Sequence, residues 1–423
     1  MKSSLRKTAV SLTALVLAAA TAGCGSGKAT GGSGGTGADG VKQGPGVTDK
    51  TIKLGLATDL TGVYAPLGKS ITNAQQLHFE EINKAGGICG RTIEAVVRDH
   101  GYDPQKAVSI YSELSGSVLA LPHFLGSPMV SAVKQRIESD KIFTIPSAWT
   151  TALLGNQYIQ VTGTTYDVDM INGIQWMLDK KMIKSGDKIG HVYFEGDYGE
   201  SALRGAKYAA QHNNLTIVEQ KIKATDNDMS SQVAALNQAG VKAILISAGP
   251  RQAASLAGIA RSRGMKQPIL GSNSAFSPQL LDTAAAPALA QGFFIATAGA
   301  PMSSDLPAMK KLADDYSKKY PGQPLDSGVV NGYGGAKIVT EALKKACEAK
   351  DLTREGLIKA HRSRNAFDDG LGTPMDFSYW DKPATRKTYI TQPKKGAPGG
   401  VVTVQEATES ELAKNYQVPV GTF

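Results

Sequence analysis

The chain predicts an α/β fold in which parallel sheets are covered by helices, and three features carry that expectation. Strand-type alternation and helical spacing follow one another repeatedly from Thr51 onward. Glycine and proline stand where helices of that length must stop and start. Hydrophobic content of 41% against 20% charged supplies ample core for the 423 residues. Repeated strand–helix–strand units require crossover helices, and those cover a parallel sheet on both faces.

Taken in order, Ile52, Leu54 and Leu56 alternate with polar neighbours and predict a strand. Ile71, Ala74, Leu77 and Ile82 are spaced for a helix over 70–85, which Gly86 and Gly87 terminate. A β-rich stretch, 92–97, follows, then a helix over 104–114 opened by Pro104. Further strands are expected at 188–194, 215–222, 241–247, 268–271 and 292–297, with helices at 200–213, 229–238 and 252–263 between them. Helices at 306–319, 330–349 and 353–361 precede a tail rich in glycine and proline, with short β-like pieces at 387–391 and 401–404. No repeat of solenoid length is present.

The start of the chain reads as a secretory leader. Lys2, Arg6 and Lys7 precede an apolar run over 9–20, and Thr21, Ala22 and Gly23 lead to Cys24. That run is about 12 residues long, whereas a spanning helix needs roughly 20. The pattern fits a signal peptide over 1–23 with lipidation of Cys24, although Thr21 stands where a bacterial lipobox usually has leucine. An ordinary signal peptide that contains a cysteine is the plainer reading. The Gly/Ser/Thr-rich segment 24–46 is expected to be a leash. What remains suits two domains.

Net charge is +9, and loss of three leader cations leaves 9 − 3 = +6 with no basic block, which argues against nucleic-acid binding. Of the three cysteines, Cys89 and Cys347 remain if Cys24 is lipidated. In an exported setting they form a disulfide or stay as buried free thiols.

No catalytic or metal constellation can be assembled. The six histidines are scattered without paired metal spacing. The run Gly199-Glu200-Ser201-Ala202 fails the nucleophile-elbow pattern because Leu203 follows it. Gly31 to Gly37 resembles a phosphate loop in composition only. No enzyme activity, cofactor or metal is expected.

Four segments in order carry a family resemblance. They are Ile52-Lys53-Leu54-Gly55-Leu56-Ala57-Thr58-Asp59-Leu60-Thr61-Gly62 with Gly68 beyond it, and Ile82-Asn83-Lys84-Ala85-Gly86-Gly87-Ile88 followed by Gly90-Arg91. Pro146-Ser147-Ala148 and Gly196-Asp197-Tyr198-Gly199 complete the set. The chain resembles type I periplasmic-binding-fold solute-binding proteins of ABC importers, in the branched-chain amino-acid-binding branch, over about 47–404. The resemblance implies two Rossmann-like lobes with parallel sheets joined by a three-strand hinge. Lobe one would comprise 48–162 and 301–372, and lobe two 163–300 and 373–423. It also implies an extracytoplasmic monomer, held to the membrane by lipid on Cys24, that delivers a small molecule to an ABC permease. A sensor of the same fold that presents its ligand to a membrane receptor is the alternative.

Carried onto this sequence, the ligand site takes Tyr64 and Leu67 from the 60–68 loop. Ser127, Ser147 and Trp149 come from two further lobe-one loops, with Ser127 positioned to bind a carboxylate through its hydroxyl and nearby N–H groups. Tyr166, Tyr198, Pro250 and Asn273 come from lobe two. Ser127 and Ser147 also read as plain helix caps, and Tyr198 as a strand-end core aromatic. Relatives that bind amino acids place an acidic residue in lobe two to pair with the ammonium, and here that place holds neutral Asn273. An amide cannot balance a buried cation. Trp149 stands where a small hydroxyl residue is usual, as a plug or a stacking face. Both departures point away from a leucine-type ligand, towards a carboxylate without an ammonium, an aromatic acid or a larger amide.

Overall fold

Parallel pairing dominates the structure, a computed structural model in which residues 35–422 are described. After a short strand β1 (Lys42–Gln43) come β2 (Thr51–Thr58), β3 (Thr92–Asp99), β4 (Ala120–Leu125) and β5 (Phe143–Ser147). The last four form an all-parallel sheet in the order β3-β2-β4-β5. A second set comprises β6 (Lys188–Phe194), β7 (Thr216–Ile222), β8 (Ala243–Ser247), β9 (Ile269–Gly271) and β10 (Phe293–Thr297). These five are parallel. Late in the chain, β11 (Asp351–Leu352) pairs with β1, while β12 (Thr388–Pro393) and β13 (Val401–Thr408) add antiparallel strands beyond β10. The larger sheet therefore runs β13-β12-β10-β9-β8-β6-β7.

β4 is buried along its whole length, as a central parallel strand covered on both faces must be. The sheets are linked where the chain crosses between them near residues 160–165, 297–301 and 372–388. Thr385 N–H donates to the Gly163 carbonyl, and Gly299 bridges Gly372. The hinge is thus made of short irregular crossings with isolated bridges.

Three expectations need correction. The first helix runs Ala65–Lys84 and starts before Ser70, with Pro66 in its first turn. Gly68 therefore lies inside the helix, where a Cβ would come within 1.9 Å of the Asp59 carbonyl oxygen. The helix Tyr166–Asp179 has no counterpart in the sequence reading. Tyr166 through Ile174 are all buried, Asp167, Asp169 and Asn172 among them, so polar residues do not mark an exposed face as on an amphipathic helix. The described part of the segment expected to be a leash, residues 35–46, is instead packed. Val41 is buried, Lys42 N–H donates to the Lys350 carbonyl, and Asp39 accepts from the Arg91 guanidinium at 2.6 and 3.1 Å. That guanidinium holds the Asp39 carboxyl down at about 2. Cys24, and the segment 1–23 expected to be a signal peptide, lie outside the described residues.

Lobe one is assembled from both ends of the chain. The helix Ser327–Glu348 packs on Ala65–Lys84 so closely that a Cβ at Gly332 would meet the Ile71 carbonyl oxygen at 2.4 Å. A disulfide between Cys89 and Cys347, with Cα atoms 5.9 Å apart, ties the turn after the first of these helices to the end of the second. No described helix is long and apolar enough to cross a membrane.

At the first crossing, Asp169 is buried and accepts from Thr164 Oγ1 at 2.6 Å and Thr388 Oγ1 at 2.7 Å, which joins that crossing to β12. Burial pushes its carboxyl up to about 7.

Two outcomes are expected. Replacing Cys89 and Cys347 together by alanine frees a loop of 258 residues and lowers stability by about 3–5 kcal/mol, read from urea unfolding midpoints. For Asp169, the folded state holds its proton more tightly than the unfolded chain. Its contribution is thus most favourable below about pH 4 and declines as pH rises through about 7. Urea unfolding of Asp169→Asn should show a shallower loss of stability between pH 4 and 7 than the parent; an unchanged slope would refute the assignment.

Candidate functional site

The site is built at the carboxyl ends of parallel strands, where loops and helix starts from both lobes face each other. After β2, the Asp59 carboxylate accepts from the N–H groups of Thr61 and Tyr64 at 3.2 and 2.8 Å and folds the 59–64 loop so that Tyr64 turns into the cleft. After β3, Tyr102 takes a positive φ of 60° and meets Tyr64 edge-on, with ring centroids 5.0 Å apart. After β4, Gly126 has φ 98°, and a Cβ there would clash with Met129 Cε at 2.4 Å and Tyr102 Cε2 at 2.9 Å. Only glycine lets this loop pass beneath Tyr102 and place Ser127 at the head of its short helix.

From lobe two come Tyr166 and Tyr198, with ring centroids 4.6 Å apart. The Tyr198 hydroxyl bonds to Ser272 Oγ and accepts from Ser274 Oγ at 2.8 Å. Trp149 stands edge-on to Tyr166 at 6.1 Å, and its indole N–H donates to the Thr162 carbonyl at the hinge. It is therefore a wall that plugs the gap between loop and hinge. Ser147 shares its hydroxyl with His123 Nδ1 at 3.0 Å. Burial depresses His123 to about 3, so the imidazole is neutral at neutral pH.

Seven of the nine expected ligand residues, Tyr64, Leu67, Ser127, Ser147, Trp149, Tyr166 and Tyr198, line one cavity between the lobes. The remaining lining is Tyr102, Leu125, Gly126 and Ser274. Pro250 and Asn273 lie elsewhere, on the wall of an adjoining and larger cleft, and Asn273 does not reach the hydroxyl cluster. Tyr102 and Ser274 were missed by sequence reasoning. Tyr102 follows Gly101 at the carboxyl end of β3, and that position was its available signal.

The cluster is tight, leaving about 20 Å³ in which a water centre can sit, roughly enough for one or two waters. The adjoining cleft offers about 360 Å³. No lysine, arginine, histidine, aspartate or glutamate lines the small cavity. The Tyr64 and Ser127 hydroxyls are buried there without a hydrogen-bond partner of good geometry. Burial raises the phenol pKa of Tyr64, Tyr102 and Tyr166, and lifts that of Tyr198 to about 12, so all four remain protonated donors at neutral pH. A wall of neutral donors with no carboxylate can serve an anionic acceptor but offers nothing to balance an ammonium.

Around the cavity, polar contacts bridge the lobes. Asp197, at the start of a lobe-two helix, accepts from lobe-one Ser131 Oγ at 2.5 Å, and its own carbonyl accepts from Thr150 Oγ1 at 3.2 Å. Burial raises the Asp197 carboxyl, whose other oxygen has no partner. Arg204 Nη1 adds a bond to Thr151 Oγ1 at 3.0 Å. Asp197 is thus engaged in a latch and does not line the hydroxyl cavity.

Residues 51–398 match the periplasmic binding protein family. A leucine-, isoleucine-, valine-, threonine- and alanine-binding protein of Pseudomonas aeruginosa is 24% identical over 79% of this chain and 91% of its own length. Among solved structures, a fatty acid ABC transporter substrate-binding protein from Thermomonospora curvata is 79% identical, with a TM-score of 0.92 over 92% of this chain and all of that one. A branched-chain amino acid ABC transporter protein from Thermus thermophilus with bound valine is 22% identical, with a TM-score of 0.76 over 87% of this chain and 99% of that one, and shares the fold. Fold, site position and relatives agree that the chain belongs to the periplasmic binding protein family, as a substrate-binding protein of ABC transporters.

Proposed function

We propose that this protein is an extracytoplasmic substrate-binding protein, tethered by lipid on Cys24, that captures a fatty acid between its lobes and delivers it to an ABC permease. The observation that carries the ligand class is the cavity of tyrosine and serine hydroxyls without a charged side chain. An amino acid would bury an ammonium there without a counter-charge, which is costly. A fatty acid brings only a carboxylate, and each hydrogen bond from a neutral donor to that charge contributes about 1.5–3 kcal/mol. A few such bonds with apolar contacts reach micromolar affinity, about −8 kcal/mol. The 79% identity to the Thermomonospora curvata fatty acid protein supports the same class. Tyr64, Ser127, Tyr166 and Tyr198 are the residues assigned to the carboxylate, and a ligand touching both lobes favours the closed form by its differential affinity.

Calorimetry on the soluble domain, stripped of lipid, tests this. Medium- and long-chain fatty acids should bind saturably and leucine or valine should not. Tyr198→Phe should weaken fatty acid binding by roughly tenfold or more. Binding of leucine or valine with no response to fatty acids would overturn the ligand class. For the anchor, Cys24→Ser should move the protein from the membrane fraction to the soluble one; continued membrane association of that variant would refute lipidation at Cys24.

A further inference from the structure

The hydroxyl cavity has room for a head group only, so an acyl chain attached to that head must leave it. Of the neighbouring spaces, those against the hinge offer about 70 and 50 Å³, and the first of them is lined by the polar groups of Thr162, Asn331 and Asp369. The cleft of about 360 Å³ is much larger, and apolar residues line it together with Arg251, Asn273 and Asp326. Tyr64, Leu67 and Ser274 line both it and the hydroxyl cavity, so the two adjoin. One side is the first turn of the lobe-one helix and the loop before it, with Leu60, Val63 and Pro66. The other is lobe two, with Pro250, Phe276 and Leu280. The two sides approach each other closely, since a Cβ at Gly249 would lie 3.3 Å from Val63 Cγ2.

Resting on the fatty acid reading above, we infer that this cleft is the acyl-chain subsite, and that the chain runs from the tyrosine hydroxyls past Leu67 and out between the 60–67 loop and the 276–280 segment. Both lobes wall the cleft, so every methylene placed in it adds apolar contact that exists only when the lobes are closed. Chain length thereby becomes the measure of how strongly a ligand favours closure. With about 360 Å³ against about 20 Å³ in the hydroxyl cavity, the cleft has room for a length of chain and not only a head group. A longer tail emerges into solvent. Arg251, an exposed residue, also lines the cleft, whereas the tyrosine and serine hydroxyls of the small cavity are buried.

The test is a calorimetric series of saturated fatty acids from octanoate to palmitate, below their micellar concentrations, on the whole soluble domain. The parent should gain affinity by roughly fourfold per methylene and then level off once the chain outgrows the cleft. Leu280→Asp should leave octanoate nearly unchanged and weaken palmitate at least tenfold, flattening the series. Phe276→Ala should flatten it partially and serves if Leu280→Asp does not fold. Tyr198→Phe should weaken all lengths by the same factor. If the parent binds no fatty acid, the functional reading fails and the subsite with it. If fatty acids bind but affinity ignores length, or Leu280→Asp weakens octanoate and palmitate alike, the chain lies elsewhere and the subsite alone is refuted. If Arg251→Ala rather than Tyr198→Phe weakens every length, the ligand lies in the reverse direction and the assignment is overturned.

Discussion

A parallel strand must return over its sheet through a crossover, so all the carboxyl ends of such a sheet collect at one edge. Here that constraint acts twice. The carboxyl ends of β2 to β5 and of β6 and β8 to β10 supply loops that meet across one cleft, and Tyr64, Tyr102, Ser127, Tyr198 and Ser274 all sit on such loops or on the helix starts that follow them. The cavity between the lobes follows from strand direction before any side chain is chosen. Side chains then decide what it holds.

Their choice is unusual in what it leaves out. Five kinds of ionisable side chain are missing from the wall of the hydroxyl cavity, while buried carboxylates occur close by at Asp197, Asp167 and Asp169, each engaged by hydroxyl groups. Charge is therefore spent on holding the lobes and the hinge, and the ligand wall is kept neutral. Such a wall discriminates by omission: it penalises a cation more than it rewards an anion. On the acyl-chain assignment, the adjoining cleft then turns a carboxylate site into one that measures the rest of the molecule.

Much of this was legible in the sequence because it is written in short-range signals. Strand alternation around Leu54, the helix stop at Gly86-Gly87 and the Asp-Tyr-Gly loop at 197–199 each declare themselves within a few residues. What escaped depends on contacts distant in sequence. Helix Tyr166–Asp179 buries Asp167, Asp169 and Asn172 together with its apolar residues, so polarity does not mark its exposed face. Tyr102 enters the site because Gly126, on another strand's loop, leaves space for its ring. Asp39 and Lys42 look like linker until Arg91 and Lys350, far along the chain, give them partners. Asn273 and Pro250 line the adjoining cleft and not the hydroxyl cavity, since sequence order does not say which of two adjoining spaces a loop faces.

The interleaved origin of lobe one has a consequence for biogenesis. Its sheet is complete at Ser147, yet the helix that seals one side, Ser327–Glu348, and the cysteine that locks it are synthesised some 180 to 200 residues later (327 − 147 = 180; 347 − 147 = 200). Until then one face of that sheet is covered over β3 and β2 by the helix Ala65–Lys84 but lacks its cover over β4. A nascent chain of this design cannot finish its first lobe early, and so remains pliable while most of its length is being made. That delay suits a polypeptide threaded through a membrane before it folds, and it places disulfide formation among the last steps rather than the first.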